Sequence, residues 1–130
     1  MNLKAKGATA ERELLHKFWS NEWACVRVAG SGSMGFPSPD LLASNGNSKI
    51  ALECKTLKNN NKHFNDEEIS QLSIFSEKFG AEPWLAIKFN RKPWYFLKLT
   101  DLKKTKKGWG ISLVLAEQKG LIFEQFLVKY

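Results

Sequence analysis

Apolar residues fall along this chain in short blocks whose spacing switches between helical and extended. Leu14, Leu15, Phe18 and Trp19 recur at the interval of a helix that buries one face, predicting an amphipathic helix over about residues 7–21, with Glu11 near its first turn. Residues 23–28 are rich in strand formers, and residues 29–39 carry the glycines and prolines of a long loop. Residues 40–44 and 49–55 flank Asn45-Gly46-Asn47, the mark of an antiparallel hairpin. Asn65, followed by Asp66, Glu67 and Glu68, reads as an N-cap with acids in the first helical turn; this second helix runs to Phe79 and stops at Gly80.

Beyond Gly80, residues 83–89 and 94–99 read as two strands joined by the basic turn Asn90-Arg91-Lys92-Pro93. Residues 111–115 predict a short edge strand, and Lys103-Lys104-Thr105-Lys106-Lys107 a solvated loop. Residues 121–127 are apolar on more than one face and fit either helix or strand. The order helix, three strands, helix, strands predicts an α/β fold, a central mixed β-sheet flanked by helices, in a single domain over residues 1–130.

Composition narrows the function. No apolar run approaches the ~18 residues of a membrane span, and the start of the chain lacks the apolar stretch of a secretory signal, so the expectation is a cytoplasmic protein with no membrane partner. Twenty basic against thirteen acidic residues give a net charge of +7, which favours a polyanionic partner through counterion release. Cys25 and Cys54 sit inside apolar runs and read as buried, reduced thiols.

The chemistry centres on Asp40 and on Glu53-Cys54-Lys55. Strand alternation sends Glu53 and Lys55 to one face and Cys54 to the other. A hairpin turning at Gly46 brings Asp40 beside the end of the Glu53 strand, gathering two carboxylates and an ammonium. Two carboxylates can hold a hard divalent cation, and a lysine can stabilise charge developing on a phosphate. The same residues also fit a cross-strand Glu–Lys pair beside a strand-start aspartate. Glu11 likewise fits a solvated helix face, and Ser31 a flexible Gly-Ser loop.

Read together, Lys6-Gly7, Glu11-Arg12-Glu13-Leu14, Val26-Arg27-Val28-Ala29-Gly30-Ser31, Pro39-Asp40-Leu41-Leu42-Ala43, Glu53-Cys54-Lys55 and Phe75-Ser76 with Phe79-Gly80 resemble the archaeal Holliday-junction resolvases, within the wider PD-(D/E)XK nuclease superfamily. The resemblance covers about residues 4–98 and implies a restriction-endonuclease-like fold. It implies that Glu11, Asp40 and Glu53 are metal-binding carboxylates, that Lys55 is the catalytic lysine, and that Ser31 is a loop serine beside the cleaved strand. Arg12 and Arg27 match basic positions of the site and of phosphate contact; Lys4 and Lys6, with Arg91 and Lys92, extend a basic DNA-binding surface. The activity implied is paired, symmetric cleavage of four-way DNA junctions in recombination and repair, by a homodimer using Mg²⁺ or Mn²⁺ and no small-molecule cofactor.

On the second helix Ile69, Leu72, Phe75, Ser76 and Phe79 form one stripe, with Ile74 off its centre. The stripe suits ordinary core; if Ile74 and other apolar residues serve the core instead, Phe75 and Phe79 are left to anchor a two-fold interface. Two other functions use the same residues: a duplex-cutting restriction or repair nuclease, and a non-catalytic DNA-binding protein. A pure binder gains nothing from acids facing phosphate.

Overall fold

The computed structural model describes residues 3–29 and 35–130, with side chains of the first helix from Gly7 onward. In chain order the elements are α1 (Leu3–Ser20), β1 (Ala24–Arg27), β2 (Leu41–Ser44), β3 (Lys49–Leu57), β4 (Asn61–Asn65), α2 (Asp66–Phe79), β5 (Glu82–Phe89), β6 (Trp94–Leu97), a 3-10 turn (Leu99–Asp101), β7 (Lys103–Thr105), β8 (Gly108–Ser112), α3 (Leu113–Lys119) and α4 (Phe123–Lys129). Among the described residues no helix is long and apolar enough to cross a membrane.

Five strands form the main sheet in the order β1-β2-β3-β5-β6. β3 and β5 run parallel over eight residue pairs, and the other neighbours are antiparallel. The sheet is therefore mixed, as expected, and the chain crosses from β3 to β5 through β4 and α2. α2 starts and stops where local chemistry dictates. The Asn65 side chain accepts the Glu68 amide while the Glu68 carboxylate accepts the Asn65 amide, and Gly80 closes the other end at φ 78°.

Alternation along β3 splits the core. Ile50, Leu52 and Cys54 pack with Leu14 and Phe18 of α1 and with Phe123 and Phe126 of α4. Ala51 packs with Ile69 and Leu72 of α2. The segment ambiguous in sequence resolves accordingly: α4 lays Phe126 on Phe96 of β6, stacked at 4.5 Å, while Leu121 bridges to Phe96 as a single β pair.

Several elements differ from expectation. α1 begins at Leu3, so Glu11 lies mid-helix rather than near a first turn. β4, β8 and β7 form a second, three-stranded sheet. The polar stretch Asn61–Asn65 has little strand propensity of its own and is held extended by antiparallel pairing with β8. β8 is the central strand of that sheet, not an edge, and residues 113–115 belong to α3, which Ser112 caps by accepting the Leu115 amide. Lys103–Thr105 is strand β7 rather than loop, with Lys104 lying 4.7 Å from the Trp109 ring centroid.

Candidate active site

The β2–β3 hairpin builds the site. Asn45 accepts the amides of Asn47 and Ser48 on its side-chain oxygen, and Gly46 supplies φ 95°, so the chain reverses tightly and the register pairs Leu41 with Leu52. Asp40, one residue before β2, is clamped on both sides. Its amide donates to the Leu52 carbonyl at 2.9 Å, and its carbonyl accepts from the Val28 amide at 2.9 Å. Its carboxylate in turn accepts the Cys54 amide at 2.8 Å. An aspartate whose main chain and carboxylate are both held by neighbouring backbone has little freedom to move.

Glu53 follows on β3, beside Asp40. Burial first, then the neighbouring Asp40 carboxyl through hydrogen bonding and charge, raise the Glu53 carboxyl pKa above the ordinary range, while the Lys55 ammonium opposes the shift. Glu68, at the start of α2, adds a further small upward push. The sequence reading used Glu68 only for its place at the helix N-terminus.

Glu11 reaches the same place from α1. Arg27 of β1 donates from Nε to Glu11 Oε1 at 2.9 Å. Burial and the nearby Asp40 charge raise the Glu11 pKa, and the Arg27 bond and the charges of Arg27 and Lys55 lower it. Glu11, Lys55, Thr56 and Trp94 line one small recess. Helix α1 and strands β1, β2 and β3 therefore bring Glu11, Arg27, Asp40, Glu53 and Lys55 to one end of the sheet. Cys54 packs into the core, where burial pushes its thiol well up, and burial raises the Cys25 thiol to about 12. Both cysteines are buried and free.

With this geometry in view, a family model for the archaeal Holliday junction resolvases (Hjc) matches residues 2–129. The chain belongs to that family. It is 38% identical over 130 residues to the crossover junction endodeoxyribonuclease Hjc of Archaeoglobus fulgidus, covering 95% of this chain and 96% of that protein. It is 31% identical to the Hjc of Sulfolobus acidocaldarius, covering 100% of this chain and 91% of the relative. The solved Archaeoglobus fulgidus Hjc structure, a Holliday junction resolvase from an archaeal hyperthermophile, superposes with a TM-score of 0.87 at 36% identity, covering 93% of this chain and 98% of that one.

Other expected residues lie elsewhere. Arg12 is exposed on α1. The side chains of Lys4 and Lys6, and Ser31 altogether, fall outside the described residues. Phe75 and Phe79 stack at 5.2 Å on the far part of α2. Ile69, Leu72 and Ser76 face the core, whereas Ile74 is 42% exposed and Phe79 49%, so Ile74 does not serve the core. Together with exposed Val26 and Phe36 they leave an apolar face around two shallow grooves that share Phe79. Val26 lies in a strand and Phe36 in a loop, far in sequence from α2, so no spacing along the chain marks them as part of this face.

Proposed function

We propose that this chain is a structure-selective, metal-dependent endonuclease that resolves four-way (Holliday) DNA junctions by paired symmetric cuts. The observation that supports it most is the convergence of Asp40, held by the Cys54 amide, with the neighbouring Glu53 carboxyl and the Lys55 charge, in a chain of the Hjc family.

The donor set suits a hard cation. Asp40, Glu53 and Glu11 offer only carboxylate oxygens, the ligands of Mg²⁺ and Mn²⁺, and the upward shifts on Glu53 and Glu11 mark negative charge crowded into a partly dry place. Among the described residues no three such groups already stand as a closed cage. Asp40 and Glu53 are the pair that would hold the ion, and Glu11 would join them on giving up its bond to Arg27. When bound, the ion polarises the scissile phosphodiester and eases deprotonation of the attacking water.

The protein's own groups do the rest. The Cys54 amide and the flanking strands hold Asp40 in place, so that little reorganisation is needed on binding. Lys55 places its ammonium where negative charge develops on the phosphate. Arg27, once free of Glu11, becomes a phosphate contact, with Arg12, exposed on α1, as a further basic contact; the sequence adds Lys4 and Lys6 to the basic residues available for DNA. The family resemblance gives Ser31 the part of the loop serine that acts beside the cleaved strand.

The active unit is a homodimer through the face of Ile74, Phe75, Phe79, Val26 and Phe36. Contiguous exposed aromatic and aliphatic groups of this kind are costly on an isolated soluble chain, and a two-fold pairing buries them on both copies at once. Two identical sites at fixed separation match the approximate two-fold symmetry of a junction. Free, buried thiols fit a reducing cytoplasmic setting.

The test is incubation with a labelled four-way junction and a duplex of the same sequence, with and without Mg²⁺. Paired cuts in the junction, dependent on metal and absent from the duplex, are expected. Equal cutting of both substrates replaces this reading with a duplex-cutting nuclease, and no cutting of either leaves a DNA-binding protein.

A further inference from the structure

A cleft of about 220 Å³ lies between α1, the end of β3 and the turn from β5 to β6. Ala10 and Thr56 line this cleft and also the recess that holds Glu11 and Lys55, so the two are contiguous. We propose that this cleft seats the sugar-phosphate backbone of the cleaved strand to one side of the cut, with Arg91 and Lys58 on its phosphates. The proposal rests on the nuclease reading above and extends its substrate contacts beyond the metal site.

Charge points to a polyanion. Lys58, Lys88 and Arg91 line the cleft against the single acid Glu13. Two basic residues of the turn region are already engaged: Lys88 Nζ donates to the Lys92 carbonyl at 3.0 Å, and Lys92 Nζ sits 3.7 Å from Glu117. These contacts, with the Lys92 amide donating to the Phe89 carbonyl at 3.0 Å, brace the turn. Arg91 and Lys58 enter no ion pair among the described residues. Their charges are left for a ligand.

The backbone at Arg91 carries the second argument. Arg91 has φ 61°, a left-handed conformation that glycine or asparagine adopts more easily than a long side chain. A braced turn that keeps a bulky cation there is spending stability on a side chain placed at the cleft, the pattern found where function over-determines local geometry. The dimensions narrow the ligand. At about 220 Å³ the cleft is smaller than the ~300 Å³ at which small-molecule pockets begin. It suits a sugar and its phosphates rather than a whole nucleotide. Ala10, Leu57 and Phe89 offer apolar wall to the sugar carbons. Contacts to backbone alone position a strand without reading its sequence.

The test walks a single methylphosphonate along one strand of a four-way junction, cancelling one backbone charge at a time. Affinity is read by fluorescence anisotropy in EDTA, where metal-dependent cleavage is off. Wild type is expected to lose about tenfold at one or two positions beside the cut, the scale of a charged hydrogen bond. Arg91→Asn tolerates the left-handed turn and is checked for unchanged thermal melting. It should weaken binding of the unmodified junction to a similar extent, lower the salt slope by about 1, and lose sensitivity at one of those positions alone. Lys58→Ala should do the same at a neighbouring position, and Glu13→Gln should tighten binding.

Losses that simply add at every position, for both Arg91→Asn and Lys58→Ala, overturn the cleft assignment. The metal-free readout separates this failure from the other. Coupling that persists in a chain unable to cut junction or duplex in Mg²⁺ sinks the nuclease reading and keeps the strand in the cleft. Cutting without coupling does the reverse.

Discussion

The Cys54 amide donates a 2.8 Å hydrogen bond to the Asp40 carboxylate, joining the entry to β2 and the middle of β3 across fourteen residues of chain. Through this bond the hairpin holds one acid still beside its neighbour Glu53, on the same β3 strand as Cys54. Asp40→Asn and Glu53→Gln keep shape and surrender the charge that grips a divalent ion. Both should abolish Mg²⁺-dependent junction cleavage while junction affinity in EDTA stays at the wild-type level. Cleavage at the wild-type rate by either variant removes that residue from the metal site.

The raised pKa of Glu53 makes the metal-free protein pH-sensitive. Burial and the Asp40 interaction keep a proton on the folded carboxyl that the unfolded chain gives up, so the folded state binds more protons and stability falls as pH rises from the ordinary glutamate range through the folded pKa. In EDTA the melting temperature should drop between pH 5 and pH 8. Glu53→Gln should flatten the drop, and Mg²⁺ should oppose it at the high-pH end by binding the ionised pair. A melting temperature in EDTA that rises over this range contradicts the raised Glu53 pKa.

Lys55 is one ammonium among many, so its part in total DNA attraction is expected to be small, and the catalytic role proposed for it predicts a large part in the chemical step. Lys55→Ala should slow single-turnover cleavage by about a hundredfold or more with little change in affinity. Weaker binding at an unchanged rate recasts Lys55 as a phosphate contact.

The exposed face on α2 is the proposed contact between two copies of the chain. Phe79→Asp or Ile74→Asp puts a charge among Val26, Phe36 and Phe75, and should give folded monomers that nick a cruciform plasmid without linearising it. Sedimentation and the plasmid assay read both halves. A wild-type monomer that still linearises the plasmid at micromolar concentration ends the argument for paired sites. Ile74→Asp is the sharper variant, since sequence spacing set that residue apart from the stripe and the structure puts it on the exposed face.

Much of this protein was determined by its sequence because the deciding interactions are local. Asn65, Glu68 and Gly80 close the two ends of α2 within a turn of themselves, and the four residues Asn45 to Ser48 reverse the chain with their own hydrogen bonds. Once the hairpin register follows from that turn, the two-residue period of a strand puts Asp40 beside Glu53 and turns Cys54 inward. Other features were decided only by the tertiary structure, because their partners lie far along the chain. Asn61–Asn65 and Lys103–Thr105 are polar segments that become strands only by pairing with β8. The Arg27 bond to Glu11 depends on how α1 packs over β1. The cleft that Lys58 and Arg91 line depends on α1 lying beside the β5–β6 turn. Val26 and Phe36 join the face of α2 because the folded sheet carries them to Phe79, a proximity that no spacing along the chain encodes.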